Sequence, residues 1–387
     1  MKKVKIYLIL LIMFLNTLLL PGCWNYREID DLAIVSGLAV DKGTKEGSYL
    51  ITFELVDFKG GGKETEIHSE TVEAEGKTIF DAVRNAIRIS ARRLFWSHAE
   101  AAIVSQDVAR EGIIQLVDFI NRDAEPREQM YILISKEKTA KELLVQQSIL
   151  TDIRSFEMEK MINTRKSISK APAAQVHDII NMLAGDGITL SLPAIGIMIN
   201  QGEKTSELSG TALFERDKLI GFLDGEDTKY FLFAKDEIKG GLLTLNVRPE
   251  RSYDDITLEI FESKTKLTPL EANGKIIMSI DVRLKVSIAE IDISRNVIDE
   301  EERKILKEKA EQMLKTNIEN VIMKVQEDYG VDAFGFGEII KKEKPTLWKG
   351  IKNEWNTMFE EVDTKVNVQI EIKASGQMSK PIKVGGT

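Results

Sequence analysis

The chain has 387 residues, 43% of them hydrophobic and 30% charged, which is enough for two or three globular domains. Its formal net charge of -9 argues against nucleic acid as the main partner, because such binding draws on clustered Lys and Arg. A single cysteine excludes an internal disulfide, and three widely spaced histidines (His68, His98 and His177) make a poor set of metal ligands. We therefore expect no metal centre and no cofactor.

The first 22 residues have the layout of a secretory signal peptide. Lys2, Lys3 and Lys5 form a basic start, an apolar run follows over residues 6–20, and Pro21-Gly22 precedes the only cysteine, Cys23. The apolar run is shorter than the roughly 20 residues that a membrane-spanning helix requires. This favours a cleaved signal peptide, residues 1–22, over a permanent membrane anchor.

Residues 23–150 are predicted to form an N-terminal α+β domain. Three strands, over residues 32–43, 48–58 and 66–76, are close enough in sequence to form an antiparallel meander. Gly60–Gly62 is expected to be a mobile loop between the second and third strands. An amphipathic helix follows over residues 77–96. A strand, a helix, a strand and a last helix then complete the domain.

Residues 151–248 are predicted to form a middle α/β domain. Residues 154–184 look helical, and three glycine-punctuated strands follow. A helix is expected over residues 225–241, with Gly240 and Gly241 as its stop signal.

Residues 249–387 are predicted to form a C-terminal α+β domain. Two long alternating runs, residues 254–270 and 274–292, indicate a hairpin or meander. Residues 299–329 give the longest helical pattern in the chain, which predicts an amphipathic helix lying on its own sheet; a coiled coil is the alternative. A short helix over residues 346–361 and a strand from residue 364 follow. The fold class expected for the whole chain is therefore α+β, with three mixed domains, largely antiparallel sheets and a cleaved lipoprotein signal peptide.

No catalytic constellation is recognisable in the sequence. It contains no "GxSxG", "HExxH" or "GxxxxGK[ST]" pattern, and His98 has no recognisable nucleophile to serve. The "FGFG" stretch, residues 334–337, is interpreted as a turn and not as a phosphate-binding loop. We expect a protein that is not an enzyme.

An aromatic stripe runs along the predicted helix of residues 346–361. Trp348, Ile351, Trp355 and Phe359 recur at spacings of three and four, which places them on one helix face. Such a stripe is typical of the core of a domain. The alternative is a docking surface, because Trp is favoured at the centres of interfaces.

The segment "LPGC" resembles the bacterial lipobox, in which a lipid-bearing cysteine follows a leucine and a small residue. Its residues are Leu20, Pro21, Gly22 and Cys23, and Pro21 departs from the small residue usual at its position. The resemblance implies that the Cys23 thiol takes a diacylglycerol thioether and that cleavage follows Gly22. The alternative is an ordinary cysteine behind a signal anchor.

"GCWNYREIDDLAIVSGLAVDKG" resembles the start of the Ger(x)C family, the lipoprotein C subunits of nutrient germinant receptors in endospore-forming bacteria. The matching residues are Cys23, Trp24, Arg27, Glu28 and Asp41, whereas Asn25 stands where members often carry Asp. "RRLFWSHAEAAIVSQDVAREGI", "GTALFERDKLIGFL" and the segment from "DAFGFGEII" to "EIKASG" resemble later stretches of the same family in the same order.

The resemblance implies a non-enzymatic lipoprotein of the spore inner membrane, with its body on the non-cytoplasmic face. It would act in nutrient-triggered germination through contacts with an integral A subunit and a transporter-like B subunit. Candidate interaction residues are Trp24, Arg27, Glu28, Trp348 and Trp355. The alternative function is a solute-binding lipoprotein that captures the germinant itself, for which a deep pocket with convergent polar groups is required.

Overall fold

The structure is a computed structural model that describes residues 3–8, 10, 31–59, 66–123, 125–146, 151–246, 255–272, 274–291 and 300–373. Within the leader, residues 3–8 and 10 are helical. The expected loop Gly60–Gly62 lies outside the described residues. The remaining described residues build two β-sheets and the helices that cover them.

The first sheet contains nine strands, in the order β3-β2-β1-β5-β6-β7-β8-β9, with β4 paired to the start of β1. The strands are β1 (Leu32–Lys42), β2 (Tyr49–Lys59), β3 (Glu66–Gly76), β4 (Arg93–Phe95), β5 (Ala101–Val104), β6 (Tyr131–Ser135), β7 (Ser191–Asn200), β8 (Glu203–Glu215) and β9 (Lys218–Leu223).

The helices associated with this sheet are α1 (Ile79–Ser90), α2 (Gln106–Glu111), α3 (Ile114–Arg122), α4 (Lys141–Val145), α5 (Arg154–Thr164), α6 (Val176–Ala184) and α7 (Gly225–Ala234). Local chemistry explains where α1 starts. The Thr78 hydroxyl caps α1 by accepting a hydrogen bond from Asp81 N at 3.1 Å. The Asp81 carboxylate accepts one from Lys77 N, just before the helix, at 2.9 Å.

The expected meander of three strands is confirmed, because β1 pairs antiparallel with β2 and β2 with β3. The centre of the sheet differs from the antiparallel pattern: β1, β5, β6 and β7 are parallel neighbours. The segments that connect β5, β6 and β7 contain helices, and a helical crossover returns the chain in the same direction. The two strands have the sequences AAIV and YILIS, and such largely apolar runs are typical of strands that are covered on both faces.

The second sheet contains β10 (Leu242–Asn246), β11 (Asp255–Ala272), β12 (Lys275–Ile291) and β13 (Asp363–Ile372), in that order. The hairpin of β11 and β12 is antiparallel, as predicted, and β13 joins β12 in parallel. Four helices accompany it: α8 (Glu300–Tyr329), α9 (Phe336–Glu343), α10 (Pro345–Ile351) and α11 (Trp355–Glu360). The prediction of an α+β chain with largely antiparallel sheets is confirmed.

The long helix α8 packs on β13 and on α7. Its buried side chains recur at spacings of three and four residues, which places them on one helix face: Leu306, Ala310, Leu314, Ile318, Val321, Ile322 and Val325. The prediction of an amphipathic helix lying on its own sheet is therefore confirmed.

Four predicted helices differ from the structure. The helix expected over residues 77–96 ends at Ser90, because Ala91 has a left-handed φ of 52°, and residues 93–95 form β4. The helix expected over residues 154–184 is broken between α5 and α6, where Ser169 has a left-handed φ of 53° and Pro172 lacks an amide hydrogen. Helix α7 ends at Ala234 and not at Gly240-Gly241, because Asp236 is already left-handed, with a φ of 60°. The helix expected over residues 346–361 is two short helices, α10 and α11.

The boundary predicted at residue 150 crosses a continuous sheet. Strand β6 precedes it and β7 follows it, yet the two are paired through Ile134 with Ala194 and Ser135 with Ile195. The boundary predicted at residue 248 falls between β10 and β11, which are also paired. The division into residues 1–22, 23–150, 151–248 and 249–387 stays a prediction.

Candidate functional site

The two sheets meet at a joint built from three segments: residues 185–190 between α6 and β7, residues 331–338 at the start of α9, and the side chains of Trp348 and Trp355 on α10 and α11. Thr189 N donates a hydrogen bond to Asp332 O at 2.9 Å, and Glu338 N donates one to Gly187 O at 2.9 Å. The joint therefore connects the first sheet to the helices of the C-terminal part.

The carboxylate of Asp332 is the centre of this joint. Asp332 is only 1% exposed. The backbone N–H groups of Gly335 and Phe336 donate to Oδ1 at 2.9 and 3.0 Å, and Gly337 N donates to Oδ2 at 2.7 Å. The indole Nε1 of Trp355 donates to the same Oδ2 at 3.0 Å. Four donors thus satisfy a carboxylate that water does not reach.

Burial raises the pKa of Asp332 from its ordinary 3.8 to about 6, because removal from water disfavours the charged form. The hydrogen bonds from Gly337, Phe336, Trp355 and Gly335 oppose this rise. The carboxylate is therefore ionised at neutral pH and takes up a proton in mildly acidic solution.

The structure agrees with the interpretation of "FGFG" as a turn. Gly335 has a φ of 79°, which favours glycine, and α9 begins at the next residue. The three amides that a bound phosphate would need already donate to Asp332. The carboxylate of Asp332 thus lies where a bound phosphate would otherwise accept these hydrogen bonds.

Gly187 provides the close contact on the other side of the joint. It has a φ of 82°, and a Cβ atom there would lie 2.7 Å from both the Gly337 carbonyl carbon and Cη2 of Trp348. Only glycine fits this backbone position without displacing Gly337 or Trp348.

An open cleft of about 610 Å³ lies beside the joint. Its polar and charged lining includes Asp186, Arg216, Asp217, Lys352 and Asn356. Charges of both signs together with an amide suit a small polar molecule or the polar side chains of a partner protein. In the described part of the chain, no group of three or more His, Cys, Asp or Glu side chains is placed to hold a metal ion.

The structure places Trp348 and Trp355 in the interior. They are 4% and 3% exposed, and their rings meet edge to face with centroids 5.7 Å apart. Phe359 is fully buried beside Trp355. The aromatic stripe is therefore part of the core, as the first of its two interpretations requires.

Leu20, Pro21, Gly22 and Cys23 of the lipobox, and the candidate interaction residues Trp24, Arg27 and Glu28, lie outside the described residues. Among the described helices, none has the length and apolar character needed to cross a membrane.

Asp41, a residue of the N-terminal resemblance, has a structural contact that the sequence does not indicate. Its buried carboxylate accepts hydrogen bonds from Ala140 N at 2.7 Å and Lys141 N at 3.0 Å, at the start of α4. Burial raises the pKa of Asp41, and these two backbone hydrogen bonds oppose the rise. About a hundred residues separate the partners, so no local pattern reveals the contact.

Glu54 is a second buried carboxylate that sequence reasoning missed. It accepts hydrogen bonds from Arg154 N at 2.6 Å, from Ser155 N at 2.9 Å and from the hydroxyls of Ser36 and Ser155 at 2.8 and 2.6 Å. The guanidinium of Arg154 lies 2.8 Å from the Glu157 carboxylate. The sequence marks this residue only as a Glu within a largely apolar strand. Its hydrogen bonds attach α5 to β2 across the boundary predicted at residue 150.

Comparison with known proteins gives matches along most of the chain. Residues 25–197 match the family model described as "Spore germination protein N-terminal domain", and residues 209–376 match "Spore germination B3/ GerAC like, C-terminal". The chain is 23% identical to spore germination protein KC of Bacillus subtilis (strain 168), with 97% of each chain covered. It is 24% identical to spore germination protein B3 of the same organism, covering 95% of this chain and 98% of the relative.

A third relative is spore germination protein GerQC of Bacillus cereus, 24% identical over 97% of this chain and 99% of the relative. Among solved structures, the crystal structure of the GerBC protein superposes with a TM-score of 0.54 at 21% identity. That superposition covers 87% of this chain and 96% of the other. The fold is therefore shared along nearly the whole length of that protein.

Proposed function

This chain belongs to the Ger(x)C family of spore germination proteins, and on that premise we propose that it is the lipoprotein C subunit of a nutrient germinant receptor. In this role it is not an enzyme. It acts in the spore inner membrane by contacting the integral A subunit and the transporter-like B subunit of the receptor.

One observation carries this proposal: the similarity extends over the whole chain and not over one domain. The two family models together reach from residue 25 to residue 376 with a short gap. The relatives named above are covered to 97% or more of their own length. A correspondence of this extent supports a shared role for the entire protein.

Membrane attachment through Cys23 is the second part of the proposal. The lipobox Leu20-Pro21-Gly22-Cys23 supports thioether formation and cleavage after Gly22. A diacylglycerol and an added acyl chain hold a protein firmly at a bilayer, since each buried methylene contributes about 0.8 kcal/mol. The body then lies on the non-cytoplasmic face of the membrane.

Protein contacts are proposed for Trp24, Arg27 and Glu28, which follow the lipidated cysteine directly. Trp348 and Trp355 are buried, so contact between these rings and a partner requires the joint to open.

The substitution Cys23→Ala tests the attachment. We expect it to abolish incorporation of labelled palmitate, to release the body from spore membranes and to weaken the nutrient response. Asn25→Asp is the matched control, because it leaves the lipobox intact and introduces the residue that family members often carry. A Cys23→Ala chain that stays wholly in the detergent phase, while spores respond normally to nutrients, would contradict the proposal.

Direct capture of a germinant is the second candidate function, and the cleft beside the joint supports it, because charges of both signs converge there. Calorimetry of the purified chain with amino acids, sugars and nucleosides separates the two candidates. The receptor-subunit proposal predicts no saturable heat. Saturable heat that Lys352→Ala removes would favour direct capture in this cleft.

A further inference from the structure

We propose that the end of the first sheet formed by the start of β1 and by the pair Phe58–Ile67 contacts the phospholipid membrane directly, so that its strands stand away from the bilayer. This inference rests on the lipid attachment at Cys23 in the proposed function. It adds the orientation of the body and a second contact with the lipid.

The topology brings the start of β1, the end of β2 and the start of β3 to one end of the sheet. Strand β2 is antiparallel to β1, with Ile34 opposite Val56, so β2 ends where β1 begins. Strand β3 then starts at that same end, with Ile67 directly opposite Phe58. On the other side of β1, Leu32 lies opposite Arg93 at the start of β4.

Two apolar side chains at this end, one on β2 and one on β3, are exposed. Phe58 is 54% and Ile67 is 48% exposed, and as directly opposed residues they lie on the same face of the hairpin. A phenylalanine and an isoleucine side by side in water are costly unless another apolar phase covers them.

Helix α1 adds a third apolar residue and two cations. It runs from the end of β3 toward β4, so its last turn lies at the same end of the sheet. Ile89 is 61% exposed there, and Arg88 and Arg92 are exposed beside it. Apolar side chains next to guanidinium groups match the boundary of a bilayer, where acyl chains meet anionic phosphates.

The short connection between Cys23 and β1 limits how far the start of β1 can lie from the lipid. Nine residue steps separate Cys23 from Leu32, and a fully extended chain of that length spans at most about 30 Å. Strand β1 itself has 11 residues and extends about 35 Å further along the sheet. The lipid therefore keeps the Phe58–Ile67 end close to the bilayer, whereas the opposite end can lie well away from it.

The opposite end of the sheet also has exposed apolar residues, which serve as a control for the membrane contact. Strand β7 is parallel to β6, β5 and β1, so the turn between β7 and β8 lies at the far end of the sheet. Ile199 in that hairpin is 62% exposed and Met198 is 42% exposed. The two ends are thus similar in the exposure of their apolar residues and differ in their distance from Cys23 along the sheet.

Spin labels test the proposal in the full-length lipidated chain, reconstituted in vesicles of phosphatidylcholine and phosphatidylglycerol. Cys23 is the only native cysteine, and its sulfur is blocked in the lipidated protein, so Phe58→Cys or Ile199→Cys supplies a unique labelling site. We expect the label at position 58 to collide several-fold more often with oxygen, relative to a water-soluble nickel chelate, than the label at position 199. The double variant Arg88→Gln/Arg92→Gln should reduce this contrast.

Equal collision ratios at positions 58 and 199, in a chain that floats with the vesicles, would overturn the inference and leave the attachment intact. Protection of position 58 in spore membranes but not in lipid vesicles would assign this end to a protein partner and also overturn it. A chain that does not float and whose Cys23 accepts the label would refute the attachment, and the membrane contact with it. Circular dichroism of each variant checks that the fold is retained.

Discussion

At the scale of single residues, Asp332 explains why several separate segments hold together. Its carboxylate is bound by three amides of its own turn and by Trp355 from α11, while its backbone carbonyl accepts from Thr189 in the first half of the chain. Each of these hydrogen bonds has an ordinary length, between 2.7 and 3.0 Å. Because the group is buried, loss of one donor leaves part of a charge without a partner.

Trp355→Phe tests this arrangement, since it removes one donor and keeps an aromatic ring. Hydrogen bonds to charged groups contribute about 2 kcal/mol, so we expect the free energy of unfolding to fall by about that amount at pH 7.5. Below pH 6 the folded-state carboxyl is protonated, and the loss should be smaller. Denaturant unfolding at pH 5 and pH 7.5 measures both values, and equal losses would contradict the role of the ionised carboxylate.

The pKa of Asp332 also sets the sign of its own pH dependence. A folded-state value of about 6, against 3.8 for the free group, means that the folded chain binds the proton more tightly than the unfolded chain. The stabilisation linked to this group is therefore complete below about pH 4 and is lost as the pH rises to about 6. Trp355→Phe raises this pKa further, which is why its effect grows with pH.

At the scale of elements, the segment of residues 185–190 holds the two sheets together through backbone contact. It connects α6 to β7, so a displacement there reaches both the first sheet and α9. Gly187 allows the close approach, because a Cβ atom at this position would overlap Gly337 and Trp348.

Gly187→Ala and Gly202→Ala form a matched pair for this contact. Their φ values are similar, 82° and 87°, but a Cβ atom at Gly202 meets nothing within 4 Å. We expect Gly202→Ala to cost about 1 kcal/mol, from the left-handed backbone alone. Gly187→Ala should cost about 1–3 kcal/mol more, because the added methyl group must displace packed atoms. Equal losses in denaturant unfolding would show that the joint is loosely packed.

At the scale of the whole molecule, the first sheet unites segments that the sequence separates. Strands β6 and β7 pair across the boundary predicted at residue 150, and Glu54 on β2 binds the start of α5. The family models place their own division between residues 197 and 209, although β8 and β9 belong to the same sheet. These contacts favour one cooperative unit over residues 31–223.

A protease site inserted between residues 146 and 151 tests this cooperativity. We expect the cut chain to elute as one species under native conditions, because β6–β7 pairing and the Glu54 contacts remain. The two fragments should separate only in denaturant. Separate elution of two folded fragments in native buffer would support the boundary at residue 150 and contradict the single unit.

Local patterns in the sequence determined most of the elements. The alternation in β2 and in the β11–β12 pair, and the spacing of Leu306, Ala310 and Leu314 on α8, lie within one strand, hairpin or helix. The resemblance of Leu20–Cys23 to a lipobox and the resemblance to the family are likewise linear patterns, and the family follows from sequence matches without tertiary structure.

Only the tertiary structure decided what meets across long sequence separations. The parallel order of β1, β5, β6 and β7 depends on the path of the crossover helices. The partners of Asp41 and Glu54 lie about a hundred residues away. The spacing of three and four residues predicted that Trp348 and Trp355 belong to one aromatic stripe, but it did not determine whether the stripe faces water or the core. The contact of Trp348 with Gly187 shows that the stripe faces the core. Burial there depends on packing between segments about 160 residues apart, which no local sequence pattern reveals.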